Sequence, residues 1–212
     1  MLKLLNNLNG KDRRGFTLIE MLVVIAVIAI LAGILIGVLP AAQNKNIRSR
    51  VTTEMKALEM AIENYKAKHA FLPPDNPKDH GRPPLFYELT GTTNVDNGGV
   101  KYHSLTTGDV LPQSQLPPLF GIEGFMNTGV AGDDSSVINF YKILKSGQWR
   151  DIQAANGLPA YKVLVAPRYG MDKQPAVWHY NKTNPTNNVG QYDLWAEIDL
   201  GGERVVIGNW EH

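Results

Sequence analysis

Cysteine is absent from this 212-residue chain, which excludes disulfides, thiolate metal sites and a cysteine nucleophile in whatever compartment the protein occupies. A surplus of one charge is also missing: 21 basic and 20 acidic residues leave a formal charge of +1. Beyond Arg13 and Arg14 no basic run invites nucleic acid or an acidic substrate. Enzyme signatures are missing as well. The histidines at 69, 80, 103, 179 and 212 show no His-Glu-x-x-His spacing, and there is neither a Gly-x-Ser-x-Gly elbow nor a phosphate loop. Asp133-Asp134-Ser135-Ser136 reads as a helix start, not as paired catalytic carboxylates. We therefore expect no enzymatic activity and no nucleic-acid partner.

What the chain has is an uneven distribution of apolar residues. Hydrophobic positions make up 43% of it, enough for a real core. From Met21 to Leu39, however, there is no charge or amide, while the sequence beyond Pro40 is ordinary and rich in Gly, Pro, Asn and Asp. A helix crosses a bilayer core with about 20 apolar residues, so residues 16–39 read as a single transmembrane segment. Lys11, Arg13 and Arg14 precede it and place the N-terminus in the cytoplasm and the bulk of the protein on the outer side. A secretory signal peptide fits less well, because the run outlasts an h-region and "LPAAQ" is a poor cleavage site.

One carboxylate, Glu20, interrupts the start of this segment. A plain anchor helix gives no reason for it, since a carboxylate in a spanning helix is costly and usually marks a partner. Cutting the chain after Gly15 would create an amine at Phe16, four residues from Glu20 and so one helical turn away. The stretch "RRGFTLIE" ahead of an apolar run resembles the class III signal of type IV pilins and type II secretion pseudopilins. The resemblance implies that residues 1–15 are a cytoplasmic leader with Arg13 and Arg14 as its charges. It also implies cleavage between Gly15 and Phe16 by a prepilin peptidase, methylation of Phe16, and pairing of Glu20 with the N-terminal amine of a neighbouring subunit during assembly. Loss of the leader would leave 17 basic and 19 acidic residues, a formal charge of −2.

Helical periodicity continues past the apolar run. Ile47, Val51, Met55, Leu58, Ile62, Tyr65 and His69 recur three or four residues apart, with charged residues between them. "FLPPDNP" stops this pattern, so a long helix is expected over 16–70 and a globular head over 71–212. Within the head, 71–160 reads as a loop-rich insertion in which "PPLFYELTG" and "SSVINFYKILKSG" are short helical pieces and "VDNGG" and "TTGD" are turns. Residues 161–212 read as antiparallel strands, with Leu200-Gly201-Gly202-Glu203 as a tight hairpin. Alternation puts Tyr192, Leu194, Ala196, Ile198 and Leu200 on one strand face. The fold class is thus α+β: a long N-terminal helix, apolar below and amphipathic above, packed on a small C-terminal antiparallel sheet.

The tail narrows the resemblance. "YDLW", a Gly-Gly turn and "IGNW" are similar to the end of the major pseudopilin of type II secretion, and the lack of cysteine fits, because many true type IV pilins close their C-terminal loop with a disulfide. That family binds calcium in this loop. Asp193, Asp199 and Glu203 are the carboxylates available here, but Ala196 and Val206 stand where the family carries a serine and an acid, so no metal or other cofactor is assigned. Trp149, Trp178, Trp195 and Trp210 would form a sugar platform only if they shared a surface; burial in a small sheet is the plainer reading.

The expected function is that of a structural filament subunit in type II protein secretion, made in the inner membrane with its head in the periplasm. Its partners would be copies of itself, other pilin-like subunits, the prepilin peptidase and an inner-membrane assembly platform. The alternatives are a type IV pilus subunit serving adhesion, motility or DNA uptake, and a membrane-anchored binding module.

Overall fold

The computed structural model describes residues 15–94, 101–130, 136–154 and 157–210, with the side chains of 35–40 and 130 excepted. Arg13, Arg14, the "VDNGG" turn and Asp133 to Ser135 lie outside the described residues. The architecture is α+β, with an N-terminal helix and a C-terminal antiparallel sheet. The chain divides between Gln43 and Asn44 into two compact units. Helix α1, Leu18–His69, contributes residues to both.

In the first unit the described residues of α1 from Met21 to Ile34 carry no polar side chain, and the large apolar side chains from Leu18 to Ile34 are exposed. Among the described residues no helix is long and apolar enough to cross a membrane. Of the expected span 16–39, the side chains of residues 35–39 lie outside the described residues.

In the second unit α1 becomes amphipathic. Val51, Met55, Leu58, Ile62 and Tyr65 are buried, and Ile47 and His69 are half-buried at the ends of the stripe. Each fully buried side chain of this size contributes about 1.5–3 kcal/mol, so the stripe fastens the helix to its sheet. Ala70, in a left-handed conformation at φ 66°, follows the last turn, and the prolines after it prevent continuation.

The segment expected to be loop-rich is more ordered than its sequence suggests. Besides the first strand of the C-terminal sheet, at Trp149–Ile152, it holds α2, Leu85–Thr90, and four short strands: β1, Thr92–Asn94; β2, Lys101–Ser104; β3, Val110–Pro112; and β4, Thr128–Val130. A short helix, α3, Leu116–Phe120, lies between the last two strands. The strands pair in the order β3-β2-β1-β4, with β1 and β4 parallel. Runs of three or four residues carry no readable alternation. "PPLFYELTG" does form α2, but no α-helix forms within 136–148. There the backbone donors of Phe140 and Tyr141 reach the Leu89 carbonyl instead of closing a helical turn, and the Asn139 side chain also accepts from the Tyr141 N–H.

Glu88 ties this segment to the helix. Its buried carboxylate accepts the Tyr65 hydroxyl at 2.9 Å and the backbone N–H groups of Met126 and Asn127 at 2.9 and 3.0 Å. Asn127 in turn donates to the carbonyls of Glu88 and Ile138.

The C-terminal sheet runs β5, Trp149–Ile152; β6, Tyr161–Tyr169; β7, Pro175–Asn181; β8, Asp193–Leu200; and β9, Glu203–Gly208, each antiparallel to the next. Tyr192, Leu194, Ala196, Ile198 and Leu200 are all buried. The β8–β9 hairpin turns on Gly201 and Gly202, at φ 73° and 93°, with Leu200 opposite Glu203. Two positive φ angles in a two-residue loop require glycine or a near substitute. Trp178 is buried on the helix side, where its indole N–H donates to Glu54. Trp195 lies on the opposite face, stacked on His179 at 5.0 Å and near Trp210. The four tryptophans therefore form no single platform.

Candidate functional site

The segment around Glu20 begins with three residues, Gly15, Phe16 and Thr17, that precede the helix. Among the described residues a side chain at Gly15 would meet nothing within 4 Å, and Phe16 is 75% exposed, so none of these residues covers the Gly15–Phe16 peptide bond. Thr17 then starts α1. Its N–H donates to Glu20 Oε2 at 2.8 Å, its hydroxyl donates to the same oxygen at 2.7 Å, and the Glu20 N–H donates back to the threonine oxygen at 3.3 Å. This is a reciprocal capping box, which satisfies backbone donors at the helix start that have no partner inside the helix.

The capping box gives Glu20 a task within its own chain. A carboxylate at the edge of an apolar helix is tolerated here because the threonine solvates it. The signal was present in the sequence as Thr-x-x-Glu ahead of an apolar run, and reading Glu20 only against the Phe16 amine overlooks Thr17. After Glu20 the exposed surface is hydrocarbon: Met21, Leu22, Ile25 and Ile28 are all more than half exposed. A helix that is apolar all round needs lipid or other helices as its surroundings.

The calcium candidates do not come together. Asp193 is buried and committed to a loop: its carboxylate accepts the N–H groups of Thr186, Asn187 and Asn188 at 2.7–2.9 Å. Asp199 lies at the far end of β8, about 20 Å away at the rise of a strand. There the Lys173 ammonium at 2.5 Å and the Gly202 N–H hold its carboxyl below the usual range. Glu203 is exposed at the hairpin. Among the described residues no cluster of three or more His, Asp or Glu side chains is arranged to hold a metal ion.

Residues 10–36 match the family described as the prokaryotic N-terminal methylation motif. The chain is 36% identical over 63 residues to the type II secretion system core protein G of Klebsiella michiganensis, a match covering 30% of this chain and 44% of that protein. It is 36% identical over 61 residues to the protein of the same name from Klebsiella pneumoniae, covering 29% and 44%. The chain thus spans less than half the length of the curated relatives it matches. No solved structure matches it.

Proposed function

We propose, from the type IV pilin-like, pseudopilin-type N-terminus that these matches support, that this protein is a structural subunit of a filament acting in type II protein secretion. The observation that carries the proposal is the coincidence at one place of the methylation motif, a Gly15–Phe16 bond that no described residue covers and a fully exposed apolar helix. In this reading a prepilin peptidase cuts after Gly15 and methylates Phe16, and residues 16–39 hold the free subunit in the inner membrane with the head outside. Copies of the chain, with other pilin-like subunits on an assembly platform, then pack α1 against α1, moving apolar surface from lipid into a helical core.

Glu20 is the assembly residue of this reading. In the chain described here its carboxylate is shared with Thr17; in the filament it would gain the charged amine of a neighbouring Phe16, a stronger partner than a hydroxyl. The exchange would favour the in-register neighbour, because every other register leaves a charged amine unpaired in an apolar setting.

The test is the intact mass and N-terminal sequence of the protein purified from its native membrane. A chain beginning at methylated Phe16 supports the proposal, and a mature chain retaining residues 1–15 sinks it. Glu20→Gln should be inserted and processed yet absent from sheared filaments; incorporation at the level of the parent would remove the assembly role.

A further inference from the structure

The first charges after Glu20 are all cations. No acid stands between Glu20 and Glu54, and Lys45, Arg48 and Arg50 fall close together in that interval. All three are exposed, and none has an ion pair among the described residues. Farther along α1 the cations are spent: Lys56 pairs with Glu59 at 2.8 Å and Lys66 with Glu63 at 3.8 Å. Lys68 lies in the last turn, where the helix dipole favours a positive charge. Arg50 has Glu54 one turn on, but that carboxylate is half-buried and accepts the Trp178 indole N–H at 3.3 Å.

The three cations surround the open part of the helix. Here α1 turns Asn44, Ile47 and Val51 inward. At 100° per residue, Lys45 and Arg48 flank that side on one hand and Arg50 on the other. A protein partner covers one face of a helix, whereas a layer of lipid headgroups meets every open side. Helical side chains also lean toward the N-terminal end of their helix, the end of α1 that carries the proposed span. Lys45 follows Leu39, the last residue of that span, by six positions, about 9 Å of helix. The headgroup layer is about 5–8 Å deep, so long cationic side chains leaning back reach its phosphates. These cations stand on the translocated side, where the bias that orients a span disfavours Lys and Arg; anionic lipid there offsets that cost.

We propose that Lys45, Arg48 and Arg50 form a collar that binds the phosphodiester groups of anionic glycerophospholipids on the outer side of the membrane. A guanidinium meets two phosphate oxygens with parallel hydrogen bonds, and the lysine adds a point charge. The collar fixes the depth of the helix in the bilayer. The inference rests on the span proposed for residues 16–39 and is independent of the filament.

The experiment reconstitutes the full chain in phosphatidylcholine vesicles with trace spin-labelled phosphatidylglycerol or phosphatidylcholine, and reads the motionally restricted lipid by electron spin resonance. The parent should prefer phosphatidylglycerol. A cation beside an anionic surface is worth up to about five-fold, so Lys45→Gln/Arg48→Gln/Arg50→Gln should cut the preference by about three-fold or more. Lys45→Arg should retain it, and about 1 M salt should weaken it in the parent. Arg13→Gln/Arg14→Gln removes cations from the other side of the span, and the collar substitutions should cause the same fold-loss in that background. The collar is overturned if the triple variant keeps the parent's preference; loss of copy-to-copy crosslinking in that variant would then assign the cations to a second chain. A parent that alkaline carbonate strips from the vesicles overturns the span and the collar together, whereas an inserted chain with no loss in the triple variant overturns the collar alone.

Discussion

Removing the Glu88 carboxylate should unfold the head more readily than any surface change of the same size. In Glu88→Ala three donors lose their acceptor at once: the Tyr65 hydroxyl and the N–H groups of Met126 and Asn127, all at 2.9–3.0 Å. A buried donor left without a partner costs about 1–3 kcal/mol. The offset is the burial cost of the carboxylate itself, which pushes its pKa above the ordinary value despite the hydrogen bonds. Three such donors, less that offset, net about 3–5 kcal/mol, a large fraction of the roughly 5–15 kcal/mol that holds a domain together. Glu88→Gln keeps one acceptor oxygen but turns an NH2 toward donors, and should cost about 1–3 kcal/mol. Tyr65→Phe removes a donor and leaves the carboxylate two others, so it should cost least, about 1 kcal/mol. The assay is urea unfolding of the detergent-solubilised chain by tryptophan fluorescence, since every tryptophan lies in the second unit. The predicted order is Ala, then Gln, then Tyr65→Phe. A Glu88→Ala midpoint indistinguishable from the parent would show that Met126 and Asn127 find other acceptors, and the pin would be refuted.

Stability should also respond to acid at His179. Burial, with lesser contributions from His80 and Arg204, lowers its pKa against the opposing pull of Glu197 and Asp79. The unfolded chain then binds the proton more tightly, so the stabilisation is present above the ordinary histidine value of about 6.5 and is lost as pH falls below it. His179→Phe should flatten that part of the stability curve; an unchanged slope assigns it elsewhere. Thr17→Val should loosen the start of α1, read as amide exchange at Glu20 about five-fold faster, while exchange at Val51 and beyond stays constant. Gly202→Ala forces a Cβ into φ 93° and should lower stability by about 1–2 kcal/mol. Gly201→Asn, at φ 73°, should cost less because asparagine tolerates that region, and equal midpoints would refute the turn assignment.

What could be read from the sequence was whatever rests on neighbours close along the chain. The stripe from Val51 to Tyr65 is a period, the Gly201-Gly202 turn is a dipeptide with one favoured conformation, and the alternation from Tyr192 to Leu200 names its own buried face. The pilin-like start is a run of eight consecutive residues. The insertion was illegible for the opposite reason. Its strands have three or four residues, and its order comes from partners far apart in sequence, such as Glu88 with Met126 and Asn127, or Leu89 with Phe140. "SSVINFYKILKSG" has the composition of a helix, yet contacts to α2 claim its backbone donors first.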